Sequence, residues 1–169
     1  MSDGTIRIGM VNYAAAPSAS NGGTQIKNEN TGHFITAATT TTGVNHHLFF
    51  NPNGLVGSIK TTGSSTSFNT SSDYRLKENV VDIADGITRV KQLQPKRFNF
   101  IADADTTVDG FLAHEAQAVV PEAVTGEKDG EEMQGIDQSK LVPLLTAALQ
   151  EAIAKIETLE QRLANAGIA

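Results

Sequence analysis

The sequence predicts an α+β chain: a β-rich segment over residues 1–71, a small mixed unit over 72–136 and a long helix over 137–169. Three observations predict it. Up to residue 70 the chain is rich in Gly, Ser and Thr and carries +1, three basic residues against two acidic, with short runs of alternating apolar and polar residues. Residues 71–169 hold ten basic and 17 acidic residues, a charge of −7, with apolar residues at helical spacing. The C-terminal stretch then repeats apolar residues at alternating intervals of three and four.

Taken in order, Ile6, Ile8 and Met10 alternate with Thr5, Arg7 and Gly9, the period-2 pattern of a half-buried strand. Pro17 and Asn21-Gly22-Gly23 break the pattern and supply turn geometry. Two short strands are expected around Gln25–Lys27 and His33–Thr36, then a Thr-rich run that favours extended backbone. The strongest hairpin joins "HHLFF" to "LVGSI" through Asn51-Pro52-Asn53-Gly54, where Pro52 presets φ and Gly54 accepts the left-handed conformation. His46 and His47 are adjacent, so on a regular strand they point to opposite faces and serve structure rather than one metal ion. "GSSTSFN" reads as a flexible connector.

Beyond Leu76, "LKENVVDI" is expected to be extended. A helix over "ADGITRVKQLQ" follows, capped by Asp85 and ended by Pro95. "KRFNFIA" reads as a strand with Phe98 and Phe100 on one face. "VDGFLAH" reads as a second strand entering a helix "HEAQAVVPEAV" that Pro121 interrupts or stops. Asp103, Asp105 and Asp109 fall in an expected solvated loop that lacks the spacing of a calcium loop. "TGEKDGEEMQGID" reads as a hairpin turning near Asp129-Gly130. The last helix starts at Asp137 or Ser139, takes Pro143 in its first turns and ends near Asn165. Val142, Leu145, Leu149, Ala152, Ile156, Leu159, Leu163 and Ala166 form a heptad seam, a coiled coil about 40 Å long.

Composition excludes several classes. With 5% aromatics and no Trp in 169 residues, neither half buries much apolar area, and oligomerisation is the remedy. Three copies wound about one axis would bury Ile, Phe and Val that one copy leaves bare. No Cys means no disulfide or thiolate site. No stretch approaches the ~20 apolar residues of a membrane span, so no membrane insertion is expected. No basic stripe offers itself to nucleic-acid phosphates.

"SSDYRLKENV", "GITRVKQLQPKRFNF", "GFLAHEAQAVVPEAV" and the terminal heptad helix, in that order, resemble the C-terminal intramolecular chaperone domain of endosialidase-type phage tailspikes and tail fibres, the S74 self-cleaving peptidases. The resemblance spans roughly residues 70–169. It implies a homotrimer whose chaperone domain assists folding of the preceding β-fibre and is then released by a single-turnover cut between Ser72 and Asp73. It puts Ser72 as nucleophile, Asp73 as the new N-terminus and Lys77 as base, with no cofactor and no metal. It further implies a virion fibre or spike assembled in the host cytoplasm, with itself, other tail proteins and a host-surface receptor as partners.

The chemistry sets conditions. A Ser hydroxyl needs a base, and a Lys serves as one where burial favours its neutral form. Fully extended, Lys77 would lie about 17 Å from Ser72, so the intervening residues must turn. Attack by Ser72 on its own carbonyl needs a four-membered ring. Ser71, a neighbouring chain's hydroxyl, an activated water, and the Asp73 carboxylate through a six-membered ring all stay open. His114 and Glu115 are candidate support residues; Glu115 and Glu122 are further candidates to hold Lys77 or a neighbour's Arg75. No carboxylate pair suggests glycan hydrolysis. The alternatives are a structural trimer that keeps its chaperone domain, and a host-surface glycan-binding module over residues 1–70.

Overall fold

The computed structural model describes residues 6–8, 23–27 and 33–168. The chain divides into two compact units, 1–79 and 80–169, so the Ser72 to Lys77 stretch belongs to the first.

In the first unit β1 (Ile6–Ile8), β2 (Gly23–Lys27) and β3 (His33–Ala37) form one antiparallel sheet in chain order. The turn expected at residues 14–22 lies outside the described residues. A second antiparallel meander holds β4 (Val44–Asn51), β5 (Gly54–Thr62) and β6 (Ser65–Thr70). Its first turn follows the expected chemistry: Asn51 Oδ1 accepts from the Asn53 N–H at 2.8 Å, and Gly54 takes φ 95°. The register shifts between Asn45 and His47, and within this irregularity His46 Nε2 bonds Thr61 Oγ1 at 2.8 Å while His47 stacks on Phe49.

"GSSTSFN" is no connector. Ser65–Thr70 pairs with β5 from Thr62↔Ser65 to Gly57↔Thr70. Backbone pairing needs no apolar side chain, and Thr66, Phe68 and Thr70 favour extended backbone, so a largely polar segment completes the sheet.

Among the described residues of this unit none is buried. Phe49, Phe50 and Phe68 are 51%, 66% and 79% exposed, so the sheet displays its largest apolar side chains instead of enclosing them.

The second unit runs α1 (Gly86–Val90), β7 (Lys96–Phe100), β8 (Asp103–Gly110), α2 (Ala113–Gln117), β9 (Val124–Thr125), β10 (Gly135–Ile136) and α3 (Val142–Asn165). β7 and β8 form one antiparallel pair and β9 and β10 another. The core gathers Leu93, Ala116, Val119, Val120, Ala123, Val124, Leu141 and Leu144, flanked by Val90, Phe111, Ala113 and Ile136. Phe98 and Phe100 share a face as expected, their rings edge to face with centroids 5.4 Å apart. The hairpin over 124–136 is present, with Asp129 at φ 59° in its loop.

Four expectations are corrected here. Asp103, Asp105 and Asp109 lie on β8, not in a loop, because β8 pairs with β7 at both ends, Asp103 with Phe100 and Asp109 with Arg97, and the carboxylates stay exposed. α2 ends at Gln117 and a 3-10 turn occupies Pro121–Ala123, since Pro121 supplies no N–H to continue a helix. "LKENVVDI" is not continuously extended: Leu76 ends a 3-10 turn and Asn79 takes φ 52°. Asp85 stands at the N-cap of α1 without a side-chain bond; the Glu151 carboxylate accepts from the Gly86 and Ile87 N–H groups instead.

α3 begins after a 3-10 turn, Gln138–Leu141, whose cap is Asp137: its carboxylate accepts from Ser139 N at 3.0 Å and from Ser139 Oγ at 2.6 Å. Leu144 and Ala148 bury one face of the helix against the unit. Val142, Leu145, Leu149, Ile156, Leu159 and Leu163 of the expected seam are exposed, Ala152 is half-buried, and every residue from Ile153 to Asn165 lies in solvent.

Candidate self-cleavage site

The chain enters the site pinned to the sheet. At the end of β6 the Ser71 N–H donates to Val56 O at 3.0 Å and the Ser71 hydroxyl donates to Leu55 O at 2.8 Å. Asp73 then caps a 3-10 turn over Tyr74–Leu76, in which Leu76 N donates to Asp73 O and Lys77 N to Tyr74 O, each at 3.1 Å. That turn reverses the chain and folds the Lys77 side chain back onto Ser72. Nζ donates to Ser72 Oγ at 2.8 Å and to Ser72 O at 3.2 Å. Ser72 O is the carbonyl oxygen of the Ser72-Asp73 peptide bond, so one amine touches both the hydroxyl and the bond.

The Asp73 carboxylate is held by one residue. It accepts from Arg75 N and Nε, both at 2.9 Å, and from Arg75 Nη2 at 2.8 Å. The Arg75 guanidinium first, its backbone N–H next and the Lys77 charge last hold this carboxyl below the usual aspartate range, and Asp73 in turn raises Arg75. Sequence reasoning gave Arg75 no role within its own chain. A cation two residues after an N-cap Asp was the available signal.

Ser72, Asp73 and Lys77 are all exposed in the single chain. Nothing there desolvates the amine, so the burial that would favour its neutral form is absent from one copy. Two candidate nucleophiles are already engaged: the Ser71 hydroxyl points its proton at Leu55 O, and the Asp73 carboxylate faces Arg75.

The candidate support residues belong to the second unit. His114 is half-buried and lines an open hollow of ≈ 480 Å³ with Phe98, Val108, Phe111 and Ile136. Glu115 Oε2 is buried and pairs with Lys96 Nζ at 3.4 Å. Glu122 is exposed. Asp109 pairs with Arg97 at 2.7 Å, and no group of three or more His, Cys, Asp or Glu placed to hold a metal ion occurs among the described residues. No helix among them is long and apolar enough to cross a membrane.

Part of the chain is similar to known proteins. Residues 72–125 match the peptidase S74 family model, described as chaperone of endosialidase. The chain is also similar to a probable tail fiber protein of Escherichia phage Phieco32, 31% identical over 99 residues, which cover 56% of this chain and 14% of that protein. The chain therefore spans only a small part of the length of that relative. The family match begins at Ser72 itself, so the turn that carries Ser72, Asp73 and Lys77 lies at the start of the stretch that is similar to the chaperone of endosialidase.

Proposed function

We propose that this chain is a phage tail-fibre component in which residues 1–71 are fibre, residues 72–169 with α3 are its intramolecular chaperone, and three copies assemble before the bond between Ser72 and Asp73 is cut. The observation that carries the reading is the lack of a core in the first unit: its described residues include none that is buried, while Phe49, Phe50 and Phe68 stand in solvent. A polypeptide of that kind gains its apolar burial from other copies. α3 suits the task, because an exposed apolar stripe along a projecting helix aligns copies and raises the local concentration of the strands that must pair.

Cleavage fits the same scheme. The 3-10 turn brings Lys77 to Ser72, so the cut would follow its closing. Burial of the site by neighbouring copies would make it follow assembly as well. Sedimentation together with mass spectrometry tests the reading: a trimeric mass and a fragment beginning at Asp73 are expected, and a monomer, or a product that stays full length, overturns the corresponding half.

A second reading keeps the domain attached, as a structural trimer without cleavage. The exposure of Ser72 and Lys77 favours it. An intact chain in a trimer of full mass is its signature.

A further inference from the structure

We infer that α3 pairs with a second copy of itself in parallel and in register, with Lys155 of one copy set against Glu160 of the next. The inference rests on the reading of α3 as an assembly surface and adds to it the orientation and register of the copies, which an apolar stripe alone leaves open.

The heptad fixes where the charges fall. With Val142, Leu149, Ile156 and Leu163 at one seam position and Leu145, Ala152 and Leu159 at the other, one flank of the seam holds Ala148, Lys155 and Arg162. The opposite flank holds Thr146, Ile153 and Glu160. The charges of the first flank are thus all basic, and the one charge of the second is acidic. Parallel helices in register bring a residue of the first flank beside the residue of the neighbour's second flank that lies in the following heptad, which joins Lys155 to Glu160. Antiparallel helices set like flank against like flank, where no opposite charges meet.

Neither charge has a use within its own chain. Both side chains are exposed, and neither makes an ion pair or hydrogen bond among the described residues. Support along a helix comes from residues three or four apart. Around Glu160 those positions hold Ile156, Glu157, Leu163 and Ala164, so its one charged neighbour repels it. Around Lys155 the one acid is Glu151, whose carboxylate accepts from the Gly86 and Ile87 N–H groups.

Symmetry fixes the register. In a closed ring of identical copies an axial shift from each copy to the next would add up, and the last copy would miss the first. A slip of one heptad, which would offer Arg162 to Glu160, is therefore incompatible with closure, and Lys155 keeps the contact. Ion pairs at the rim of a coiled coil add little strength; they select orientation and partner.

The test measures association of the full chain by sedimentation at low salt for Lys155→Glu, Glu160→Lys and the double exchange, with far-UV circular dichroism to confirm that each is folded. Each single reversal puts like charges at every contact and is expected to weaken association by about 3- to 10-fold, an effect that shrinks at high salt. The double exchange restores opposite charges and should return association to that of the unaltered chain. An equal mixture of the two single variants should assemble more tightly than either alone. Leu163→Cys reads orientation directly: the chain has no other Cys, and in parallel register two such thiols meet across the seam and form a disulfide on oxidation. Single reversals that leave association unchanged, a double exchange as weak as the singles, or an assembled Leu163→Cys that does not cross-link would each overturn the inference and leave assembly standing. An unaltered chain that sediments as a monomer overturns both.

Discussion

The Glu151 carboxylate of α3 accepts hydrogen bonds from the Gly86 and Ile87 N–H groups, capping α1 from 65 residues away in the chain. The first N–H groups of a helix have no partner within it, and a carboxylate there also meets the positive end of the helix dipole. Asp85, in the cap position by sequence, makes no such bond. The cap is thus a tertiary contact, and it ties the orientation of α1 to the helix that carries the apolar stripe.

Glu151→Ala leaves two donors at the α1 N-terminus without their acceptor and is expected to destabilise the second unit by about 1–2 kcal/mol. Glu151→Gln keeps one acceptor oxygen and loses less. Thermal unfolding of the two variants side by side checks the order; equal loss would mean that the carboxylate acts by charge alone.

Gly86→Ala is expected to cost more than an exposed glycine replacement does. A Cβ on Gly86 would stand 2.5 Å from Ala148 N and 2.8 Å from Ala147 C, both backbone atoms of α3 that no rotamer change can move. α1 must shift, at about 1–3 kcal/mol, and the Glu151 cap goes with it. Denaturant unfolding of Gly86→Ala with and without Glu151→Ala checks the coupling: the combined loss should be smaller than the two single losses added.

These contacts mark the boundary of what the sequence makes legible. The hairpin at Asn51-Pro52-Asn53-Gly54 and the span of α3 are readable because turn chemistry and apolar period are local properties. β6 is not, since Ser65–Thr70 has the composition of a linker and becomes a strand only when β5 offers its edge. β8 hides for the same reason behind Asp103, Asp105 and Asp109. At the candidate site, the need for a turn between Ser72 and Lys77 follows from chain length, whereas Arg75 as the partner of Asp73 depends on how tightly that turn closes. On α3 the heptad stripe is plain in the sequence, but the second face, Leu144 and Ala148, is packed against residues far away in the chain.

The two faces of α3 are expected to separate stability from assembly. Leu144 is 2% exposed, and Leu144→Ala is expected to destabilise the unit by about 2–5 kcal/mol. Leu159 is 54% exposed, so Leu159→Asp should leave the unit folded while lowering the sedimenting mass. An oligomer of unchanged mass in Leu159→Asp would remove the stripe from the assembly surface.

Asp137 gives α3 a pH-dependent start. The Ser139 hydroxyl first and the Ser139 N–H second hold its carboxyl below the ordinary value of 3.8, with Lys140 adding in the same direction. A carboxyl lowered by folding binds fewer protons in the folded state than in the unfolded state. Its contribution is therefore full above 3.8 and is lost as pH falls through the lower folded value. Asp73 and Asp109 are lowered too, so the comparison that isolates Asp137 is Asp137→Asn against the unaltered chain. The difference in melting temperature between the two should shrink on going from neutral pH to strongly acid pH, and a constant difference would show that the carboxylate charge plays no part.

Asp73→Asn distinguishes routes to the scissile bond. If the Asp73 carboxylate were the nucleophile, it would attack the Ser72 carbonyl through a six-membered ring, and an amide in its place would end the reaction. The carboxylate instead accepts three hydrogen bonds from Arg75, which turn its oxygens toward the guanidinium. Asn keeps one oxygen for the Arg75 N–H, and with it much of the cap, since Asn and Asp serve almost equally at this position. Provided that the unaltered chain is cut, Asp73→Asn is expected still to be cut, yielding a fragment that begins with Asn at position 73. Arg75→Gln, which releases the carboxylate, should loosen the turn and slow the cut. Mass spectrometry of the fragments reads both outcomes, and a folded Asp73→Asn that stays full length would assign the attack to the carboxylate after all.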